Sequence, residues 1–299
     1  MIYSIADLEQ LSGISAHTIR IWERRYNALS PLRSAGNTRL YDDDQLRRLL
    51  NIASLNQSGL KISNICRLSQ TEMDDLIQKE IDKTISPESH YEYYISQLIK
   101  YGFLYDELQV EQLLARCIAD YAVEGTYRYV IYPLLVRLGL MWGKDSVCPS
   151  QEHFLSNVIR QKLFSAIDSL PVNPVPKSSW LLFLPEDEDH DIGLLLASYM
   201  LRSAGHKVTY LGAKVPLSAV KNVLSKIDVD HALLFMTRTR PATDAAAYLE
   251  ILKKIFKETP ACISGNARLI SGLDLGKSLR WLHNLSDFEQ IINTPIYAS

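Results

Sequence analysis

Apolar residues near the start of the chain recur at helical spacing in two short segments separated by turn residues. Residues 4–11 place isoleucine and leucine on one face of a helix, and residues 12–14 supply a tight turn. A second helix is predicted to begin at about residue 15, with Ile19 and Trp22 directed towards the core. Two helices joined by a tight turn are typical of a helix-turn-helix element, which reads DNA.

The next segment alternates basic and small residues and predicts a wing. Its Gly36-Asn37 pair suits the turn of a hairpin between two short strands. Further helical patterns follow at 45–57 and 59–68. The pattern therefore predicts a mainly α winged helix-turn-helix domain at residues 1–78.

Long amphipathic segments occupy the middle of the chain. The helical patterns lie at 91–100, 105–123, 125–142 and 149–170. Four helices of this length predict a four-helix bundle, which we assign to residues 79–170.

The pattern changes after a proline-rich linker at residues 170–176. Short apolar strands then alternate with amphipathic helices, and the strands are predicted at 180–184, 208–211, 232–236 and 261–263, with a fifth near Trp281. Strands separated by helices predict a doubly wound parallel sheet. The expected fold is multidomain, with the winged head and the bundle followed by a Rossmann-like α/β domain at residues 177–299.

Composition and charge narrow the function classes. The chain has 299 residues, a formal net charge of -2 and four cysteines, none of which forms a C-x-x-C pair. A structural zinc site and a redox motif both need closer cysteine spacing, so neither is expected. No apolar segment approaches the length of a membrane span and the N-terminus lacks a signal-peptide pattern, so a cytoplasmic protein without a membrane partner is predicted.

Arginines concentrate between residues 20 and 39 of the predicted head, although the whole chain is slightly acidic. Arginines on an amphipathic helix often form only a solvated face, and that reading stays open on these helices alone. If the head binds DNA, the recognition helix and the wing supply the contacts. The candidate residues are Thr18, Arg20, Arg24, Arg25, Tyr26, Arg33, Asn37, Arg39 and Tyr41.

A histidine follows the first strand of the predicted sheet, where ligands of doubly wound folds bind. His190 lies on this strand-to-helix turn, and Glu188 is close enough to hold one nitrogen of its ring while the other binds a transition metal. A single loop histidine is more often a surface residue, so the pattern alone leaves both possibilities open.

The head resembles the winged-helix domain of the MerR family of transcriptional regulators. The resemblance rests on the run from Ile2 to Tyr41, with its Ile-x-x-Trp-Glu-Arg-Arg-Tyr segment and its Arg39-Leu40-Tyr41 ending. It implies double-stranded operator DNA as a partner and at least two heads, because palindromic sites pair with symmetric proteins.

The rest of the chain resembles cobalamin-binding regulators of the CarH type. Glu188-x-His190-x-x-Gly193 looks like the D/E-x-H-x-x-G signature of cobalamin domains, and Trp142 followed by Glu152-His153 looks like the W-x9-E-H pattern of their helical cap. The resemblance implies a light-controlled repressor that binds 5'-deoxyadenosylcobalamin in the dark as a homo-oligomer, dimer or tetramer. The resemblance therefore implies a sensor and not an enzyme.

Specific roles are also implied by the resemblance. His190 would bind cobalt from below, Trp142 and Glu152 would contact the adenosyl group, and His153 would take the upper position after photolysis. The cofactor-binding candidates are Trp142, Glu152, His153, Glu188, His190, Gly193, Thr237, Ser264 and Gly265.

The ends of the third and fourth predicted strands depart from the cobalamin pattern. Cobalamin domains usually carry Ser-x-Leu and Gly-Gly there, which leave room for the nucleotide tail, whereas this chain has Phe235, Met236 and Arg238 near one end and Ser264 at the other. Two alternatives stay open. One is a MerR-type regulator whose cobalamin-like domain no longer binds the vitamin and serves oligomerisation or another signal, and the other is a corrinoid methyltransferase or mutase subunit.

Overall fold

A computed structural model describes residues 2–12, 14–34, 36–57, 60–69, 71–73, 76, 87–142, 149–238 and 240–293. The chain divides into two compact units, residues 1–162 and 163–299. The boundary that we predicted at residues 78 and 79 lies outside the described residues. Within the described part, no helix combines the length and the apolar character of a membrane span.

The first unit begins with the predicted helix-turn-helix. Helix α1 spans Ile5–Ser12 and α2 spans Ala16–Tyr26. The Ser15 side chain accepts a hydrogen bond from the backbone N–H of Thr18 and so caps α2, which ends at Asn27 in the left-handed conformation.

The wing is a two-stranded antiparallel hairpin, as predicted. Strands β1 (Leu32–Arg33) and β2 (Arg39–Leu40) pair with Arg33 opposite Arg39, and Asn37 in the turn has a φ of 61°. Asparagine tolerates this left-handed conformation better than most residues, which is why it suits the turn. A further antiparallel bridge joins Tyr3 to Tyr41.

Helix α3 (Asp43–Gln57) agrees with the prediction, whereas the helix predicted at 59–68 is only the single turn α4 (Ile62–Ile65). The reason lies in Arg48 of α3. Its guanidinium donates to the carbonyl oxygens of Cys66 and Leu68 at 2.9 and 3.3 Å, and these bonds satisfy the backbone in a turn.

The helical region contains four successive segments. They are α5 (Pro87–Phe103), α6 (Glu107–Thr126), a π-helical turn (Tyr127–Ile131) leading into α7 (Tyr132–Trp142), and α8 (Pro149–Asp168). Within the first unit α3 packs on α5 and α1 packs on α7. A buried hydrogen bond of 3.3 Å from the Gln97 side chain to Asn51 crosses the contact between α5 and α3. The winged head and these helices therefore form one compact body.

The second unit is the predicted parallel α/β fold. Its strands and helices are β3 (Ser179–Pro185), α9 (Ile192–Ser203), β4 (Lys207–Val215), α10 (Leu217–Leu224), β5 (His231–Met236), α11 (Ala242–Ile255), β6 (Ala261–Gly265), α12 (Ala267–Ile270), β7 (Leu279–Trp281) and α13 (Leu285–Asn293). All neighbouring strands are parallel, in the order β4-β3-β5-β6-β7.

Side-chain alternation along the strands separates the two faces of this sheet. Leu234 and Met236 of β5 belong to a buried apolar cluster that also includes Leu249 of α11. Residues at the alternate positions point to the opposite face. Strand β3 is buried on both faces, as expected for a central strand of a parallel sheet. The loops that follow β3, β5 and β6 consequently meet at one edge, where the candidate histidine lies.

Candidate DNA and cofactor sites

Helix α2 presents a basic surface. Arg20, Arg24 and Arg25 are exposed, and Thr18 and Tyr26 are partly exposed. The Nε of Arg24 donates only a long 3.4 Å bond to the carbonyl of Arg20. These side chains are therefore accessible to a ligand, and guanidinium groups suit phosphate or guanine.

The tip of the wing carries a second accessible cation. Arg33 is exposed and its Nη1 donates to the side-chain oxygen of Asn37 at 2.6 Å. The bond orients the guanidinium across the hairpin. Arg33 and Asn37 thus stay candidates for contacts with the DNA backbone or minor groove.

Two other wing residues have a different environment. Tyr41 is fully buried and its hydroxyl donates to Glu23 of α2, so the prediction that Tyr41 contacts DNA is corrected. Arg39 donates from Nε to the same carboxylate at 2.9 Å. Burial raises the pKa of Tyr41 far above its usual value, and the hydrogen bond to Glu23 raises it further. The tyrosine therefore stays neutral. Arg39 and Tyr41 join the wing to the recognition helix.

Glu23 was missed by the sequence analysis. The only signal in the sequence is an acidic residue beside two arginines in a helix that is otherwise basic. Its side chain is 7% exposed. Burying a carboxylate costs free energy unless hydrogen-bond donors or cations pair with it, and Arg39 and Tyr41 supply these partners.

The candidate cofactor site is centred on Glu188, in the loop after β3. This residue is fully buried, and one oxygen, Oε2, accepts the backbone N–H groups of Thr237 and Arg238 at 2.7 and 2.6 Å. The other oxygen accepts the N–H groups of Asp189 and His190 at 3.2 Å each. Glu188 therefore holds together the loops that follow β3 and β5.

His190 hydrogen-bonds through Nδ1 to Oε1 of Glu188, while half of its side chain is exposed. Burial alone would raise the pKa of Glu188, but the bonds from His190 and from the backbone of Arg238 outweigh it and lower the pKa to about 2. The carboxylate is thus ionised and Nδ1 carries the proton. This tautomer directs metal binding to Nε2, which is the arrangement of a metal-ligating histidine with a supporting carboxylate.

Charged neighbours surround this pair. Glu188, Asp189 and His190 place potential ligand atoms within 4.8 Å of one another, and Lys214 approaches Asp189 at 3.4 Å. Arg240, which the sequence analysis did not single out, is 8% exposed and lies 3.7 Å from Glu188. Its other terminal nitrogen pairs with Asp187 at 3.0 Å. Arg240 follows β5 by only four residues, and only the sheet topology brings it to Glu188.

The remaining predicted residues of the sheet domain lie near this edge with distinct roles. Thr237 contributes its backbone N–H to Glu188. The Ser264 hydroxyl donates to the carbonyl of Leu282 at 3.0 Å. Gly265 has a φ of 128°, and a Cβ there would lie 2.3 Å from the carbonyl oxygen of Met236. Gly193, in the first turn of α9, packs against the ring of Phe235.

The predicted upper-face residues belong to the first unit. Glu152 and His153 lie in the first turn of α8, where Nδ1 of His153 is 2.8 Å from Oε2 of Glu152 and the imidazole is largely exposed. Trp142 is the last residue of α7, and its side chain lies outside the described residues.

Two family models match the chain. Residues 3–72 match the MerR HTH family regulatory protein, and residues 94–165 match the B12 binding domain. The start of the chain therefore matches a MerR helix-turn-helix domain, and much of the helical region matches a B12 binding domain. The helix-turn-helix domain implies DNA as a partner, and the second match includes Glu152 and His153.

Relatives support this assignment over nearly the full length. The HTH-type transcriptional repressor CarH of Myxococcus xanthus is 28% identical over 268 residues, which are 89% of this chain and 89% of the relative. The repressor CarA of the same organism is 29% identical over 269 residues, 89% of this chain and 87% of the relative. Both relatives are transcriptional repressors, in agreement with the prediction of a regulator and not an enzyme.

A solved structure shows the same fold. The monomethylamine corrinoid protein of Methanosarcina barkeri superposes with a TM-score of 0.53 at 14% identity, covering 65% of this chain and 94% of that chain. The likeness agrees with a helical region followed by a parallel α/β domain.

Proposed function

We propose that the chain is a DNA-binding repressor that binds 5'-deoxyadenosylcobalamin, responds to light through it, and acts in the cytoplasm as a homo-oligomer. The observation that carries the proposal is the pairing of buried, ionised Glu188 with His190 at the carboxyl edge of the sheet. It occurs in a chain that has a MerR head and a B12-binding domain, and whose relatives over 89% of its length are repressors.

The donor set suits cobalt. His190 would bind cobalt through Nε2, and Glu188 would keep the ring in the required tautomer and orientation. Bound adenosylcobalamin would supply a cobalt–carbon bond that light can break. As the resemblance implies, Trp142 and Glu152 would contact the adenosyl group, and His153 would be a further candidate ligand for cobalt.

In this proposal, operator DNA binds to the basic surface of α2 and to the wing. Arg20, Arg24 and Arg25 would contact operator DNA, and Arg33 with Asn37 would position the wing. Because α3 packs on α5 and α1 packs on α7 within the first unit, a change in the helical region can reach the head through packed helices.

The test combines absorption, size-exclusion chromatography and gel shift, before and after green illumination. We expect corrin bands that change with light, a larger oligomer in darkness, and operator binding that weakens after illumination. His190→Ala should lose or blue-shift the bound bands, whereas His283→Ala, an exposed histidine of the same unit, should not. A colourless protein that still binds DNA, with no response to added cofactor, would contradict the sensor role.

That outcome would favour the alternative of a regulator whose cobalamin-like domain serves oligomerisation or another signal. One contact supports this alternative, the packing of the Phe235 ring against Gly193 in the signature itself.

A further inference from the structure

Phe235 occupies the space between the end of β5 and the beginning of α9. Leu234 and Met236 on either side of it face the opposite apolar cluster, so the Phe235 side chain points to the α9 face of the sheet. A Cβ built on Gly193 would lie 3.0 Å from Cε1 of the Phe235 ring. The ring is thus in close contact with the first turn of α9, three residues after His190.

The backbone around Phe235 is fixed on both sides. Phe235 pairs with Ser264, and the carbonyl of Met236 accepts the N–H of Asn266 at 2.8 Å. Glu188 binds the N–H groups of Thr237 and Arg238. The strand end cannot move away without losing these bonds, so only rotation of the aromatic side chain could open the space.

Small residues after the third and fourth strands of cobalamin domains leave room for the nucleotide tail. Here the corresponding strand end carries a benzyl group, and Gly265 is already in close contact with the Met236 carbonyl. The donors at His190 and Glu188 fit cobalt, but the Phe235 ring already occupies the position next to Gly193. The Phe235 ring would therefore conflict with the nucleotide tail and not with the corrin ring.

We infer that Phe235 is a specificity determinant that makes the site favour corrinoids without a nucleotide tail over complete cobalamin. The inference rests on the proposed corrinoid binding. A complete cobalamin must displace the Phe235 ring from Gly193 or leave its tail outside the domain, whereas a tailless corrinoid needs neither.

The experiment compares dissociation constants of adenosylcobalamin and adenosylcobinamide, which lacks the tail, in darkness by absorption titration of the full chain. The wild-type protein should bind the tailless compound more tightly than adenosylcobalamin. Phe235→Ser should tighten adenosylcobalamin by about tenfold or more and change adenosylcobinamide by less than about threefold. Phe235→Leu, which keeps an apolar side chain of comparable bulk, should behave as the wild type, and thermal melting of each variant checks that it is folded.

Two results overturn the inference while leaving the proposed function standing. One is wild-type binding of adenosylcobalamin that is as tight as, or tighter than, binding of adenosylcobinamide, and the other is an unchanged preference in a folded Phe235→Ser protein. If the wild type binds neither compound but Phe235→Ser binds adenosylcobalamin, the blocking role of Phe235 is supported. If neither protein binds either compound, the proposed function and the inference fail together.

Discussion

Glu188 keeps a negative charge in the interior because four backbone N–H groups, the His190 ring and the nearby Arg240 compensate it. Water would otherwise be the better environment for a carboxylate. The same residue fixes the tautomer of the candidate metal ligand and joins two strand ends. At this scale, structure and proposed chemistry depend on one side chain.

Glu188→Gln should therefore reduce the free energy of unfolding at pH 7, because the amide nitrogen would face backbone donors. The folded pKa of about 2 lies below the usual value, so the stabilisation by Glu188 is present above about pH 4.5 and is lost as the pH falls towards 2. We expect a difference on the order of 3 kcal/mol that narrows with acid, measured by urea unfolding between pH 7 and 3. Glu186→Gln, an exposed neighbour, should show neither effect.

In the head, the residues proposed to contact DNA differ from the residues that position them. Arg24→Ala should weaken operator binding and reduce the salt dependence of the affinity by about one phosphate contact, with unchanged thermal stability.

Tyr41→Phe should cost about 1–2 kcal/mol of stability, because buried Glu23 loses a donor, and leave the salt dependence unchanged. Gel shifts at several salt concentrations and thermal melting measure both. Full operator affinity in Arg24→Ala would argue against this docking of α2.

At the scale of elements, the carboxyl edge of the sheet is set by how closely β5 and β6 approach each other. Gly265 accepts a positive φ and lets its chain pass beside the Met236 carbonyl, while Ser264 bonds to Leu282. The same approach places Phe235 against α9. The edge is therefore a rigid arrangement of strand ends and not a set of independent loops.

Gly265→Ala tests this rigidity. A Cβ would lie 2.3 Å from a backbone oxygen that cannot move freely, and the φ of 128° disfavours any side chain. We expect a loss of about 2–4 kcal/mol in the free energy of unfolding, measured by denaturant titration. Gly272→Ala, where a Cβ meets nothing closer than 3.9 Å, is the matched control. Equal stability of the two variants would show that the edge relaxes easily.

At the scale of the whole molecule, the winged head and the helical region form one body, and the α/β domain lies in the other unit. The buried bond from Gln97 to Asn51 lies where α5 packs on α3. Under the proposed function, a signal received in the helical region would pass through these packed helices to reach the recognition helix.

Gln97→Ala should lower the stability of the protein by about 1–3 kcal/mol, because Asn51 loses a buried partner. It should also reduce the change in operator affinity that adenosylcobalamin produces in darkness, measured by gel shift with and without the cofactor. The exposed Gln112→Ala serves as the control. A destabilised Gln97→Ala protein with an undiminished cofactor response would show that coupling takes another route.

Periodicity alone predicted the elements, because strands of a parallel sheet and amphipathic helices have different spacings of apolar residues. It predicted all five strands of the sheet, whereas the hairpin was predicted from its Gly36-Asn37 turn residues. It extended the helix at 59–68 too far because the bonds from Arg48 come from a distant helix. The signature around His190 also depends on local spacing, so the sequence determined it.

Tertiary structure decided which residues meet. Residues far apart in the chain come together in three places: Tyr41 is buried, Glu23 binds the wing, and Arg240 approaches Glu188. The sequence showed that Phe235 departs from the cobalamin pattern, but only the folded sheet shows that its ring reaches Gly193. Local patterns encode elements, whereas contacts between elements depend on how the sheet and its helices pack in three dimensions.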